Sequence, residues 1–366
     1  MVTATIAGLG SALPDTTDQQ VLWDGFFRQH FASSRIAQQI FAGAGVRRRH
    51  TVADPLSEDL SGWSTAARMR RYAEEAQPLG YRAVAAAMAD AGVTADDIGL
   101  FTVASCTGYS TPGLDIQLAA SLGMRPDVQR LLIGHMGCYA ALPALGSTAD
   151  FVVARGRTAV LLCLELTSLH LQPPTTDPQQ VVSHALFGDA AVALVLRPQA
   201  EVALGARAPR LELVDIAALT DSGTSDHMTW QITDFGFRME LSPRVPDVLA
   251  EHVRPVVKDL LARNGLDLPD VRAWAVHPGG PRILDTVQGQ LDLSEHALAA
   301  SRTVLSEHGN CSSATLPLVL GELVGSGALH KGGPVVAMAF GPGLTLYTAL
   351  LRAAPGPRGT AVPSAL

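Results

Sequence analysis

The chain of 366 residues contains few aromatic and few charged side chains, which make up 5% and 17% of the sequence. Hydrophobic residues account for 47%, so a chain of this length can bury a large core that is mainly aliphatic. Basic residues cluster only in two short runs, at 47–49 and 68–71, and the formal net charge is -7. This balance argues against nucleic-acid binding as the main function.

The sequence also has little cysteine, with four residues and no CxxC spacing. That number and spacing exclude a disulfide scaffold and the usual zinc motifs in a chain this long. The start, MVTATIAGLGSALP, has neither the basic segment nor the long apolar core of a signal peptide. No apolar run comes close to the length of a membrane span, which is about 18 residues. We therefore expect a cytoplasmic protein that holds no metal.

Apolar runs such as Ile98–Ser105 and Thr158–Glu165 alternate with alanine-rich segments of helical period. These runs have no polar face, which is typical of strands covered on both sides by helices, and the fold class is therefore α/β. After a polar segment at 197–208 the pattern begins again. We expect an N-terminal half at 1–205, a C-terminal half at 206–353 and a mobile tail at 354–366.

The stretch Leu131–Gly146, LLIGHMGCYAALPALG, predicts a buried strand, a tight glycine turn and a helix that begins just after Cys138. Free N–H groups and the dipole at a helix N-terminus stabilise a thiolate, so Cys138 is a candidate nucleophile. Taken alone, the same residue also fits a small buried hydrophobe, as most free cysteines are.

The two halves repeat one short pattern. His135-Met136-Gly137-Cys138 is echoed by His308-Gly309-Asn310-Cys311, and each precedes a helix of small residues. With the matching order of strands and helices, the echo favours an internal duplication. We expect Cys311 to serve packing rather than catalysis.

Two more side chains stand at turns where a site can form. His277 follows the predicted strand Ala273–Val276, and Asn310 precedes a predicted helix. Alone, each also fits a structural histidine or a helix cap. Together with Cys138, they supply a nucleophile and two groups that donate hydrogen bonds while neutral. Such donors can stabilise the enolate that forms when a malonyl thioester loses CO₂.

At these residues the sequence resembles a known family. The motifs GHMGCYA, AVHPGGPRILD, EHGNCSSAT and FGPGLT are similar to those of type III polyketide synthases, the chalcone and stilbene synthase family, and more to bacterial members. The resemblance spans nearly the whole chain. It implies a thiolase-like αβαβα fold, five-layered and duplicated, and a homodimer. It also implies that Cys138 carries the acyl chain, that His277 activates the thiol, and that His277 and Asn310 polarise the thioester carbonyl.

The resemblance further assigns residues around a cavity. Phe187 matches a gatekeeper phenylalanine, and Met239 stands where the family has a second one. Thr111 matches a loop residue that reaches into the partner's cavity across the dimer. The remaining positions that match cavity-lining residues are Cys106, His170 and Ser312. Cys106 and His170 also fit ordinary buried residues.

Basic residues that would bind coenzyme A phosphates match poorly. Within Arg35–Arg49, Gln39 and Gly43 stand where the plant enzymes have cations, which leaves Arg35 and Arg47 as candidate substitutes.

The activity implied is iterative decarboxylative condensation of malonyl-CoA, or a methylated analogue, onto an acyl-CoA starter. Closure of the chain to a pyrone, resorcinol or related ring would follow, without any cofactor. Three alternatives remain open from the sequence: a ketoacyl-carrier-protein synthase III, a cysteine hydrolase that cleaves thioesters, and a non-catalytic dimer partner or scaffold.

Overall fold

The structure is a computed structural model that describes residues 3–199 and 210–355. The strands in these ranges include long ones that are buried along their whole length. In chain order they are β1 (Ala4–Ala12), β2 (Thr16–Asp18), β3 (Arg48–His50), β4 (Ile98–Ser105), β5 (Gln129–Gly134), β6 (Thr158–Glu165), β7 (Ala190–Pro198), β8 (Leu211–Thr220), β9 (Met228–Thr233), β10 (Gly236–Leu241), β11 (Ala273–Val276), β12 (Gly333–Gly341) and β13 (Thr345–Ala353).

The helices begin and end at residues suited to those positions. The longest is capped by Ser64, whose side chain accepts from the Ala67 N–H, and ends at Gly92 in the left-handed conformation. In chain order they are α1 (Gln19–Leu22), which continues through a π-helical turn into α2 (Arg28–His30), α3 (Arg35–Gly43), α4 (Thr65–Ala91), α5 (Leu114–Ser121), α6 (Ala141–Arg155), α7 (Pro178–Leu186), α8 (Val245–Ala262), α9 (Pro281–Gln290), α10 (Ala299–His308) and α11 (Thr315–Gly325).

Nine strands form one mixed sheet in the order β11-β12-β13-β8-β1-β7-β6-β4-β5. The sequence β1-β7-β6-β4 pairs antiparallel, antiparallel and then parallel. The sequence β8-β13-β12-β11 repeats the same three senses. The two parts meet at β1 and β8, where the described residues pair as Thr5–Glu212 and Ile6–Leu211. The topology is therefore that of a duplicated fold.

Side chains that alternate along the strands fill separate layers of the core. On β6, Leu161 and Cys163 face one cluster, which also contains α6 and α11. Val160 and Leu162 face a second cluster with α4 and α5. A third cluster packs α8 and α9 against β11–β13. The layers thus run helix, sheet, helix, sheet, helix, as the resemblance implies.

The sequence analysis mispredicted one element and missed another. Strand β5 was expected to be buried but is exposed, with Leu131 at 36% and Leu132 at 48% of their maximal exposure. Trp230 lies on β9, which forms a hairpin with β10. Helix α10 was not expected. The expected boundary between residues 205 and 206, and residues 356–366 of the tail, lie outside the described residues.

Among the residues that the structure describes, one segment has the length and hydropathy of a membrane span, namely Gly137–Arg155, with 19 residues and a mean hydropathy of 1.2. It is 61% buried, and α6, which forms most of it, packs in the layer between the two parts of the sheet. It is therefore the core helix behind the candidate nucleophile.

Candidate active site

A tight turn places Cys138 between β5 and α6. Gly137 has a φ of +75°, and a Cβ there would lie 2.5 Å from Cδ of Pro342. Only glycine satisfies both conditions, because other residues rarely adopt that φ and would collide with the proline. Gly137–Tyr139 form a 3₁₀ turn, and α6 begins at Ala141. The loop Gly341-Pro342-Gly343 and the turn thus fix each other.

The Cys138 thiol is buried and neutral in this state. Its side chain is 4% exposed, and Sγ lies 3.9 Å from Oδ1 of Asn310. Burial raises the pKa of Cys138 to about 12, although hydrogen bonds with the Ser312 and Asn310 side chains act in the opposite direction. Desolvation of the thiol therefore opposes the thiolate that the helix N-terminus is expected to stabilise.

His277 lies at the carboxyl end of β11, where its backbone N–H donates to Met338 O at 2.8 Å. Its ring packs edge-on against Phe340, at 5.7 Å between centroids. Both ring nitrogens are buried and have no hydrogen-bond partner among the described residues. Burial lowers the pKa of His277 to about 3, so the imidazole is neutral at pH 7. A neutral ring offers one donor and one acceptor to a substrate.

Asn310 is held by its backbone and by one side of its amide. Its N–H donates to Leu186 O at 2.8 Å, and its C=O accepts from Gly188 N at 3.0 Å. Oδ1 accepts from the Ser312 N–H at 2.9 Å and from Thr315 Oγ1 at 3.3 Å. These donors orient the amide, and they leave Nδ2 as the group that can donate to a ligand.

These three side chains line one cavity of about 400 Å³. The cavity is walled mainly by apolar residues of α7, α8, α9 and β10, so charge that develops inside it is poorly screened. The residues expected at the gate, Phe187 and Met239, line this cavity and also a second pocket of about 60 Å³. They therefore lie between the two spaces.

His170 lines the smaller pocket rather than the cavity of Cys138. Nε2 contacts Thr107 O at 2.7 Å, and Nδ1 accepts from the Phe237 N–H at 2.9 Å. The ring also stacks on Phe237 at 4.5 Å and meets Trp230 edge-on. Both nitrogens are thus occupied, and the residue narrows the pocket without offering a free donor.

Cys106 and Ser312 lie beneath the site and are not among the residues that line either space. Sγ of Cys106 accepts from the Gly137 N–H at 3.0 Å, so this thiol holds the nucleophile turn. Ser312 has a φ of +47° and begins the turn that precedes α11. A hydrogen bond between the Ser312 side chain and the Cys138 thiol acts to lower the pKa of Cys138.

Glu165 is a site residue that the sequence analysis missed. This fully buried carboxylate accepts from the Cys106 N–H at 2.9 Å and from Thr107 Oγ1 at 2.8 Å through one oxygen. Its other oxygen accepts from Ser313 Oγ at 2.5 Å. One side chain thus joins the end of β4 to the turn after Asn310. In the sequence, the signal for Glu165 is its place as a charged residue at the end of an otherwise apolar strand.

The other expected residues lie away from the cavity. Thr111 is on an exposed loop that contains Tyr109, whose ring lies 5.7 Å from that of His135 after β5. Arg35 is exposed at the first residue of α3. Arg47 is paired with Glu307 at 2.6 Å. Within residues 3–199 and 210–355, no group of His, Cys, Asp or Glu side chains is arranged to hold a metal ion.

Comparison with known proteins agrees with this architecture. The models of the chalcone and stilbene synthase N-terminal and C-terminal domains match residues 2–199 and 216–355. The chain is 32% identical over 318 residues to an alpha-pyrone synthesis polyketide synthase-like protein, Pks18, of Mycobacterium tuberculosis, covering 84% of this chain and 80% of the relative. It is 34% identical over 322 residues to a 1,3,6,8-tetrahydroxynaphthalene synthase of Streptomyces peucetius, covering 88% and 84%.

A solved structure, PKS-I from the brown alga Ectocarpus siliculosus, superposes with a TM-score of 0.88 at 28% identity. The match covers 96% of this chain and 98% of that one. The two family models together account for both halves of the duplicated fold. The chain therefore belongs to the chalcone and stilbene synthase family and is a type III polyketide synthase, an acyltransferase that condenses malonyl-CoA units iteratively.

Proposed function

We propose that this synthase builds its product as a thioester on Cys138, with His277 as the base that takes the thiol proton during loading and with His277 and Asn310 as neutral donors during extension. The observation that carries the proposal is the convergence of these three buried side chains on one apolar cavity. No metal, flavin or nicotinamide takes part in the chemistry proposed. Apolar walls exclude water, which favours condensation over hydrolysis of the thioester.

Loading begins with the thiol. Cys138 Sγ attacks the carbonyl of the acyl-CoA starter, its proton passes to the neutral His277 ring, and coenzyme A leaves as the thiol after taking that proton. The raised pKa of Cys138 means that this transfer must accompany the attack, since little thiolate exists beforehand. The Nδ2 group of Asn310 donates to the carbonyl oxygen as it gains charge.

Extension uses the same donors on a second substrate. Malonyl-CoA loses CO₂, and the electron pair of the broken C–C bond becomes an enolate whose oxygen accepts from His277 and Asn310. The enolate carbon attacks the acyl thioester, a new C–C bond forms, and the Cys138 thiolate leaves. The β-ketoacyl-CoA then returns to Cys138 and releases coenzyme A for the next cycle.

We also propose the class of product, the extender and the compartment. Relatives named for an alpha-pyrone and for tetrahydroxynaphthalene support a pyrone or a phenolic ring as the product. The extender is malonyl-CoA or methylmalonyl-CoA, and Phe187 and Met239 limit what passes between the cavity and the smaller pocket. The cytoplasm, where CoA thioesters are made, is the compartment we propose.

We also propose that the enzyme is a homodimer built on β5. This strand ends the sheet, and its apolar residues Leu131 and Leu132 are exposed. An exposed apolar edge strand is a ready surface for pairing with a second copy. The loop of Thr111 borders the same surface through the Tyr109–His135 contact, which supports its expected approach to the partner's cavity.

The experiment that tests this function supplies acyl-CoA and malonyl-CoA without any carrier protein and follows CO₂, free coenzyme A and product mass. We expect one CO₂ for each new C–C bond, and no product from Cys138→Ala. Cys163→Ala, which changes a buried cysteine in the sheet, should retain activity. A carrier-protein requirement would favour a ketoacyl synthase, and free acid without CO₂ would indicate a thioester hydrolase.

A further inference from the structure

The cavity that reaches Cys138 carries a single formal charge on its wall. Of the described residues that line it, Arg282 alone is charged at pH 7, because the His277 ring is neutral. Arg282 is also exposed to solvent, so its side chain stands where the cavity opens. The cavity therefore has an apolar wall and a cation at its entrance.

The guanidinium of Arg282 has no partner among the described residues. It makes no hydrogen bond or ion pair with another side chain in residues 3–199 and 210–355, whereas the nearby Asp285 is paired with Arg302 at 2.8 Å. Its backbone is fixed, since the Arg282 C=O accepts from Thr286 Oγ1 within α9. An unpaired cation on a rigid helix at the mouth of an apolar cavity is suited to an anion that enters with the substrate.

A second unpaired arginine flanks the same opening. Arg244 is exposed, and its neighbours in the chain, Pro243 and Val245, both line the cavity. No side chain within the described ranges pairs with it, as the ion pairs there involve other arginines. The start of α9 thus presents Arg282 at the opening, and the start of α8 places Arg244 between two residues that line the cavity.

The cations expected from the sequence are less well placed. Arg35 begins α3, whereas the end of α3 at Gly43 lines the cavity, about 12 Å away along the helix. Arg47 and Arg48 both pair with Glu307, at 2.6 Å each. Their charges are already compensated by this carboxylate.

We propose that Arg282, assisted by Arg244, is the phosphate anchor for the coenzyme A part of the substrate. The inference rests on the proposed function, because it assumes that a coenzyme A thioester enters this cavity. The anchor contacts either the diphosphate or the 3′-phosphate, and both would be held by the same guanidinium chemistry. The phosphate anchor then lies at the starts of α8 and α9, and not on α3, where the sequence places Arg35.

The test compares Arg282→Ala with the wild type on three substrates: malonyl-CoA, malonyl-dephospho-CoA and malonyl-pantetheine, which lacks every phosphate. Malonyl decarboxylation is the readout. We expect the KM for malonyl-CoA to rise about tenfold with kcat nearly unchanged. For malonyl-pantetheine, both constants should stay at the wild-type values. An effect that persists with malonyl-dephospho-CoA assigns the contact to the diphosphate, and one that disappears assigns it to the 3′-phosphate.

Matched variants separate this role from general charge effects. Arg82→Ala removes an exposed arginine from α4, on the outer layer, and should leave all constants unchanged. Arg282→Lys should restore part of the affinity, and Arg244→Ala should raise the KM less than Arg282→Ala does. An equal loss on malonyl-pantetheine, or no change on malonyl-CoA, would overturn the anchor.

Calorimetry of coenzyme A binding tests the phosphate anchor separately from the proposed function. A wild type that binds coenzyme A but never releases CO₂ would contradict the proposed function. In that case, weaker coenzyme A binding by Arg282→Ala would still support the anchor, and unchanged binding would overturn it.

Discussion

At the scale of single residues, the site is a set of neutral groups in an apolar cavity. Burial keeps the Cys138 thiol protonated and the His277 ring uncharged, and the Asn310 amide carries no charge. Such groups add little desolvation cost to the empty enzyme and interact most strongly when charge appears on the substrate. The site is therefore suited to stabilising a short-lived enolate.

The donor role of Asn310 can be separated from its structural role by Asn310→Asp. An aspartate keeps the acceptor for the Ser312 N–H and the Thr315 hydroxyl but lacks Nδ2. We expect malonyl-CoA decarboxylation to fall by about 100-fold or more, as for other lost oxyanion donors. Thr315→Val, which removes one support of Oδ1 and leaves Nδ2, should cost much less. Decarboxylation at the wild-type rate in Asn310→Asp would remove the residue from enolate stabilisation.

The raised pKa of Glu165 predicts that the stability of the protein depends on pH. Burial raises its pKa from about 4.5 to about 7, despite hydrogen bonds from Ser313, Cys106 and Thr107. The native protein then holds a proton that the unfolded chain has lost, so the free energy of unfolding falls as the pH rises between these values. Glu165→Gln should flatten this decline in denaturant titrations, and the exposed Glu251→Gln should not. A decline that is identical in wild type and Glu165→Gln would contradict the assignment.

At the scale of elements, two turns from the repeated halves meet and are tied together. The 3₁₀ turn of Gly137–Tyr139 precedes α6, and that of Ser312–Ala314 precedes α11. Cys106 holds the first turn through the Gly137 N–H, and Glu165 bridges Cys106 to Ser313 of the second. Distances in the site therefore depend on residues that never meet the substrate.

Gly137→Ala tests how sensitive the nucleophile turn is. The new methyl group would meet Cδ of Pro342 at 2.5 Å, on a backbone with a φ of +75°. We expect the free energy of unfolding to drop by about 2–4 kcal/mol and condensation to fall sharply. The control, Gly156→Ala, has a φ of +61° but open space around the Cβ, so only about 1 kcal/mol should be lost, with full activity. Equal losses in the two variants would show that the contact with Pro342 is unimportant.

Most elements could be predicted because their local pattern agrees with their final environment. Ile98–Ser105, Thr158–Glu165 and Ala273–Val276 are strands with the predicted bounds, since continuous apolar runs between turns have few other uses. Helix α10 escaped prediction because its mean hydropathy is low and its buried face includes Ser301. The link from Glu165 to Ser313 could not be predicted, because it joins positions 148 residues apart.

At the scale of the whole molecule, the edge strand β5 is unusual because its apolar side chains are exposed in a single chain. An apolar run such as that of β5 looks the same in a sequence whether the same chain or a second copy covers it. The sequence therefore predicted a buried strand, and the structure of one chain leaves it open. The proposed homodimer reconciles the two.

Leu132→Arg tests the dimer directly. Leu132 is 48% exposed on the edge strand, and a charge there would be desolvated in a paired interface. We expect light scattering to give the mass of one chain, 38.4 kDa, and condensation to fall as the Thr111 loop loses its partner. Ile36→Arg, at a 63% exposed position on α3, should leave the mass unchanged. A dimer that survives Leu132→Arg would exclude β5 as its interface.

The central claim is that Cys138 carries the growing chain as a thioester in a cavity where His277 and Asn310 assist. Intact-protein mass spectrometry, followed by peptide mapping after exposure to an acyl-CoA starter and then malonyl-CoA, tests it most directly. We predict a starter acyl adduct on the peptide containing Cys138, replaced on malonyl-CoA addition by adducts heavier by successive C₂H₂O units. Adducts on another residue, or full product formation by Cys138→Ala, would contradict it.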